Sequence, residues 1–220
     1  QQFYSLVKIN GQSGLLEWRK SMAPISSIAI DLNGLLSTSY STHSPWDLQT
    51  IKYESRWIRF DARTGAQQSS FSYDLMSFGY SPAIDAFGNI CLTAAKGSTN
   101  ENGVPIGLPE LVTLGALDGK VAWSIPAYFS SSLVIGNKGI SIASSNEEGP
   151  TLTAVDTRSG VKKWDATATN TLGALMISVP IIGSDGRVYF ARVEKWPGGL
   201  GSYGIVQAFD EESGSLEEEL

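Results

Sequence analysis

The chain is poor in the residues from which catalytic and metal sites are most often assembled. It holds one cysteine, Cys91, and one histidine, His43. A single thiol cannot close an internal disulfide, and a lone Cys within an apolar strand reads as a small core residue. A single imidazole excludes His-clustered metal sites made by this chain alone. Pairing His43 with nearby Asp47 in a Ser–His–Asp triad lacks a nucleophile-elbow motif, so His43 reads as a polar loop residue. No apolar run approaches the roughly 18 residues of a membrane-spanning helix, and no Asn-x-Ser/Thr glycosylation acceptor occurs. Positive charge is scarce as well. With 16 Lys and Arg against 22 Asp and Glu, a net charge of −6 and a pI near 4.8, neither nucleic acid nor an anionic membrane is expected as a main partner.

What the chain has instead is glycine and repetition. Leu152 to Trp164 reads as a hairpin: an alternating apolar strand, an Asp156–Thr157–Arg158–Ser159–Gly160 turn, and a return strand ending in an aromatic. Leu6–Trp18 and Leu111–Trp123 keep the Gly-to-Trp spacing. Trp57–Ser69 and Ile205–Glu219 keep the Asp and Gly but place Ser69 and Glu218 where Trp would stand. The turn glycines are Gly14, Gly65, Gly119, Gly160 and Gly214. Between these hairpins lie four others with short apolar strands and a tight turn at Gly34, Gly88, Gly139 or Gly186. Asp31–Gly34 and Gly183–Gly186 offer carboxylate oxygens at short spacing, but they lack the alternating ligands and closing Glu of a calcium loop. Asn-Gly and Asp-Gly are also the favoured two-residue hairpin turns, and that reading is preferred.

Two such hairpins make a four-stranded antiparallel unit of roughly 40 to 50 residues, the period of a β-propeller blade. The pattern Ala154–Asp156–Gly160–Trp164 resembles the tryptophan-docking repeat of pyrroloquinoline-quinone-type (PQQ-like) propellers. The resemblance implies an all-β propeller of about four and a half four-stranded blades. These comprise a half blade at 1–20 and blades at 22–69, 79–124, 130–165 and 176–220, forming one domain. It also implies that Trp18, Trp123 and Trp164 pack between neighbouring blades, as structural docking residues with Gly14, Gly65, Gly119, Gly160 and Gly214. An arc of this kind leaves strand edges unpaired. The expectation is therefore a segment of a longer protein or an assembly completed by another chain. The start at Gln1 is consistent with a removed secretory signal or with a cut segment.

Loops carry the specificity of a repeated scaffold. The insertions Ser41–Arg56, Ala95–Glu110, Ser144–Thr151 and Arg192–Gly204 fall at equivalent places in successive blades and should project from one face. The partner-binding candidates on that face are His43, Trp46, Asp47, Tyr53, Lys195, Trp196 and Tyr203; Lys52 and Arg192 fall in the same insertions. Trp46 and Trp196 stand in polar loops where the repeat requires no aromatic.

The PQQ-like family includes quinoprotein dehydrogenases and also non-catalytic members, such as outer-membrane-assembly lipoproteins of the BamB type. The family's enzymes bind PQQ and calcium and commonly carry a disulfide between adjacent cysteines. This chain has no Cys-Cys pair and no stretch that matches the quinone or calcium ligands. No catalytic residue, metal or cofactor is expected. The leading expectation is a non-catalytic extracytoplasmic scaffold that recognises a protein. The alternatives are a segment of a PQQ-dependent dehydrogenase and a sugar-binding, lectin-like propeller.

Overall fold

Each outer turn of the repeat is built from local hydrogen bonds. At Asp61 one carboxylate oxygen accepts the N–H groups of Arg63 and Thr64, both at 2.8 Å, and the Gly65 N–H closes on the Asp61 carbonyl at 2.8 Å. Asp156 and Asp210 act similarly, each taking both the N–H and the hydroxyl of the Ser three residues on. Asn10 supplies the same acceptor in the first turn. Gly160 then takes φ +72°, where an L side chain would be strained. All five outer hairpins shift register by one residue beside this turn, a bulge that lets a short loop match the twist of its strands.

The computed structural model describes residues 4–22, 28–31, 33–42, 54–74, 76–78, 81–96, 108–126, 133–145, 151–167, 176–196 and 201–219. They contain strands and turns only. β1 (Tyr4–Ile9) and β2 (Leu16–Met22) form a two-stranded half sheet. The first sheet runs in chain order through β3 (Ile28–Ile30), β4 (Leu35–Thr42), β5 (Glu54–Asp61) and β6 (Gln67–Asp74). In the second sheet β7 (Met76–Phe78) and β8 (Ala83–Ile84) share one partner, β9 (Ile90–Lys96), followed by β10 (Leu108–Leu114) and β11 (Val121–Pro126). The third sheet holds β12 (Val134–Ile135), β13 (Ile140–Ser145), β14 (Thr151–Asp156) and β15 (Lys162–Thr167). In the fourth, β16 (Met176–Ile177) and β17 (Ile181–Ile182) share β18 (Arg187–Lys195), followed by β19 (Ser202–Asp210) and β20 (Leu216–Glu219). All pairings are antiparallel, and the arrangement is a partial β-propeller.

The core is divided among the sheet-to-sheet interfaces, because successive residues of a strand face opposite neighbours. Ile58 and Phe60 pack with Leu6 and Leu36 against the half sheet, whereas Trp57 faces the second sheet with Ile90, Leu92, Val112 and Leu114. Cys91 and Leu111 point the other way, towards Leu133, Ala143 and Val155 of the third sheet. Ile142, Leu152 and Ala154 meet Val188, Phe190 and Phe209 of the fourth. Burial on both faces explains why the inner strands read as nearly continuous apolar runs. Cys91 is a core residue: its sulfur lies 3.0 Å from the Thr113 hydroxyl, and burial pushes its pKa up to about 12.

Hydrogen bonds from the turns hold the carboxyls of Asp61, Asp156 and Asp210 below the ordinary Asp range. The first cause is the Thr64 N–H for Asp61 and the partner Ser hydroxyl for Asp156 and Asp210. A carboxyl depressed in the folded state stabilises fully above its unfolded value, about 3.9, and loses that contribution as pH falls through the lower folded value. The denaturant midpoint is therefore expected to be level above about pH 5 and to fall on acidification below about pH 4. The triple variant Asp61→Asn, Asp156→Asn, Asp210→Asn should have a flatter acid limb. An unchanged limb would show that these turns do not carry the acid sensitivity.

Candidate functional site

Each sheet rests on the next through an aromatic side chain laid over a turn glycine. Trp18 lies on Gly65, Trp123 on Gly160 and Trp164 on Gly214. A Cβ at Gly160 would stand 2.7 Å from Trp123 Cδ2, too close for any side chain. Each indole N–H also donates across the interface, from Trp18 to the Ala62 carbonyl at 3.1 Å, from Trp123 to Thr157 at 2.9 Å and from Trp164 to Glu211 at 3.0 Å. Gly14 adopts the same left-handed turn, with φ +69°, but nothing among the described residues lies within 4 Å of its Cβ position, so none of their aromatics docks there.

The interface where Ser69 stands in place of Trp is completed differently. Phe71, two residues further along β6, covers Gly119, and the Tyr73 hydroxyl donates to the Gly119 carbonyl. Burial, with Asp118 adding to it, raises the Tyr73 pKa, so this hydroxyl keeps its proton. Arg59 sits directly across the strand pair from Ser69. Its Nη1 donates to the Ala116 carbonyl at 2.5 Å, the carbonyl equivalent to those taken by the indoles. Its Nη2 pairs with Asp31 at 3.2 Å, both side chains being buried. Three side chains thus do here what one Trp does elsewhere. Sequence inspection misses them because it looks at position 69 alone.

The polar corner nearest the sequence candidates lies at the connection between β18 and β19, on the face opposite the turns. The Trp196 N–H donates to the Gly201 carbonyl at 2.9 Å, and the indole lies against Gly201. The Trp196 and Tyr203 rings are 5.0 Å apart at 49°, a tilted pair. Trp196 is 55% exposed and Tyr203 37%. Beneath them, the Tyr203 hydroxyl donates to Glu194 Oε2 at 2.8 Å, and this carboxylate raises the tyrosine's pKa. Glu194 is ion-paired in turn with Arg192, whose side chain is 1% exposed. Arg192 also approaches Glu219 at 3.6 Å, and the Gln207 amide donates to the same Glu219 oxygen at 2.6 Å.

Of the sequence candidates, the structure brings Trp196 and Tyr203 together and reveals Glu194, Gln207 and Glu219 behind them. Lys195 is in the ladder opposite Ser202. His43, Trp46, Asp47, Lys52 and Tyr53 lie outside the described residues. Among the described residues, no three His, Cys, Asp or Glu side chains come together as metal ligands. The turn carboxylates are committed to their own backbones. No chemical step is assigned through a quinone–calcium centre.

No protein-family model matches the chain, and no curated protein matches it. Solved structures do. BamB from Moraxella catarrhalis is 14% identical, with a TM-score of 0.54, over 98% of this chain and 67% of that one. The quinohemoprotein alcohol dehydrogenase from Comamonas testosteroni is 15% identical, with a TM-score of 0.57, over 89% of this chain and 35% of that one. The Dos1 propeller is 12% identical, with a TM-score of 0.53, over 98% and 64%. At such identities the likeness defines the class alone, a β-propeller. The chain spans about two thirds of BamB's length and about one third of the dehydrogenase's.

Trp164→Ala is expected to cost about 3–5 kcal/mol in denaturant unfolding, as the loss of a buried aromatic. Ser69→Trp restores the residue of the repeat yet should lower stability by about 1–3 kcal/mol, because Phe71 already covers Gly119 and Arg59 already bonds the Ala116 carbonyl. A rise in the melting temperature of Ser69→Trp would contradict the account of the exceptional interface.

Proposed function

We propose that this propeller is a non-catalytic scaffold that recognises a protein through the face bearing the connections, with Trp196 and Tyr203 as anchors. The observation that carries the reading is an exposed aromatic pair, Trp196 on Tyr203, whose tyrosine hydroxyl is anchored on Glu194 and through it on the buried Arg192. Anchors of this type, with low entropy loss on binding, dominate protein interfaces. The likeness to BamB and the resemblance of the repeat to outer-membrane-assembly lipoproteins support a scaffold role, and with it an extracytoplasmic location.

The quinoprotein reading is kept second because quinohemoprotein dehydrogenases share the fold. It predicts a calcium-dependent rise in melting temperature together with bound-quinone absorbance when PQQ is added.

The test is photo-crosslinking in the source cells, with benzoylphenylalanine placed at position 196 and, as control, at exposed Gln68 on β6. A discrete protein adduct at 196 and none at 68 is expected. For the adduct protein once purified, Trp196→Ala should weaken binding about 30-fold without shifting the melting temperature. Identical adduct patterns at both positions, or unchanged affinity, would overturn the assignment.

A further inference from the structure

The opposite face of the arc, where the tight turns meet, carries a pocket of about 570 Å³. Ile30, Ile84 and Ile135, from the inner strands of three successive sheets, give it apolar walls. At its mouth the Phe87 ring is 63% exposed, and the Arg158 guanidinium lies 4.5 Å from the centre of that ring.

The charges around this pocket are unequally committed. Asp31 is held by Arg59 and by the N–H groups of Asn33 and Leu35. Asp85 accepts from Phe87 and from both the backbone and the side-chain amide of Asn89. Asp156 is engaged by Ser159, and Lys138 pairs with Glu212 at 2.8 Å. Among the described residues, Arg158 alone of these charged groups has neither an ion pair nor a side-chain hydrogen bond. Its donors lie on an aromatic face beside the isoleucine wall of the pocket, a setting in which a guanidinium binds a carboxylate well.

We infer that this pocket binds an extended peptide segment in which an acidic side chain is flanked by apolar residues. The carboxylate would pair with Arg158, and its apolar neighbours would fill the isoleucine-lined cavity and cover Phe87. A peptide fits better than a free organic acid because exposed apolar side chains stand on the turns beside the pocket. Leu117, 95% exposed, follows Ala116, which packs on Gly88 beside Phe87. Val161 is exposed in the same turn as Arg158. A small acid would leave both uncovered. This site lies on the face opposite Trp196 and stands independently of the reading above.

The test is calorimetric titration of the unmodified chain with the acetylated, amidated peptide Leu-Glu-Phe-Leu, with its Leu-Gln-Phe-Leu counterpart, and with 4-phenylbutyrate. The Glu peptide is expected to bind saturably and the Gln peptide about tenfold more weakly, as the loss of a charge-assisted pair. Phenylbutyrate should be weaker than the Glu peptide. Arg158→Gln should make the two peptides equivalent, Arg158→Lys should restore part of the difference, and Arg63→Gln on a neighbouring turn should change nothing. The inference is overturned if the two peptides bind the unmodified chain alike, if neither saturates, or if phenylbutyrate binds as tightly as the Glu peptide.

Discussion

The structure depends on one repeated contact, an aromatic ring laid on a glycine of the next sheet's outer turn. A four-stranded antiparallel sheet of short strands is weak alone, since each of its faces is apolar and uncovered. The ring-on-glycine contact sets the distance and angle at which neighbouring sheets meet. The indole N–H bond to a turn carbonyl then determines which way the ring lies. With that geometry set, the alternating residues of each strand divide between two interfaces, and the core forms as a series of layers.

The interface between the first and second sheets shows which parts of this contact are essential. The coverage of Gly119 and the donor to the Ala116 carbonyl both persist, although no single residue provides them. Phe71 supplies the apolar surface and Arg59 the donor, at the cost of a buried charge that Asp31 compensates. A buried guanidinium without that carboxylate would be strongly unfavourable. The Asp of an inner turn, otherwise a local turn residue, is thereby tied to the packing of two sheets.

The two faces of the arc differ in chemistry for a related reason. The turns on one face are constrained by the repeat, so their carboxylates are occupied and only side chains such as Phe87, Leu117 and Arg158 are left to vary outward. The β18–β19 connection on the other face is free of the repeat. There, Tyr203 is tied to an ion pair that runs from the buried Arg192 through Glu194, and Trp196 packs on Tyr203. On both faces the groups available to a ligand are those that the fold has not already used.

Much of the architecture was legible from spacing alone. The Asp-to-Gly and Gly-to-Trp intervals determine local hairpins, because turn chemistry and strand alternation act over a few residues, and their recurrence at blade length implies a propeller. Trp18, Trp123 and Trp164 were legible as docking residues because they recur in register. The roles of Phe71, Arg59 and Glu194 were not, because each depends on what lies across a strand pair or in the next sheet. Arg59 and Asp31 are far apart in the chain and meet only when the first sheet forms, and Phe87 and Arg158 meet only when two sheets stack. The sequence by itself determined the strands, the turns and the repeat. Only the tertiary structure decided which charges are neutralised and which remain free, because electrostatic pairing falls off within a few ångströms and those distances exist only once the sheets are assembled.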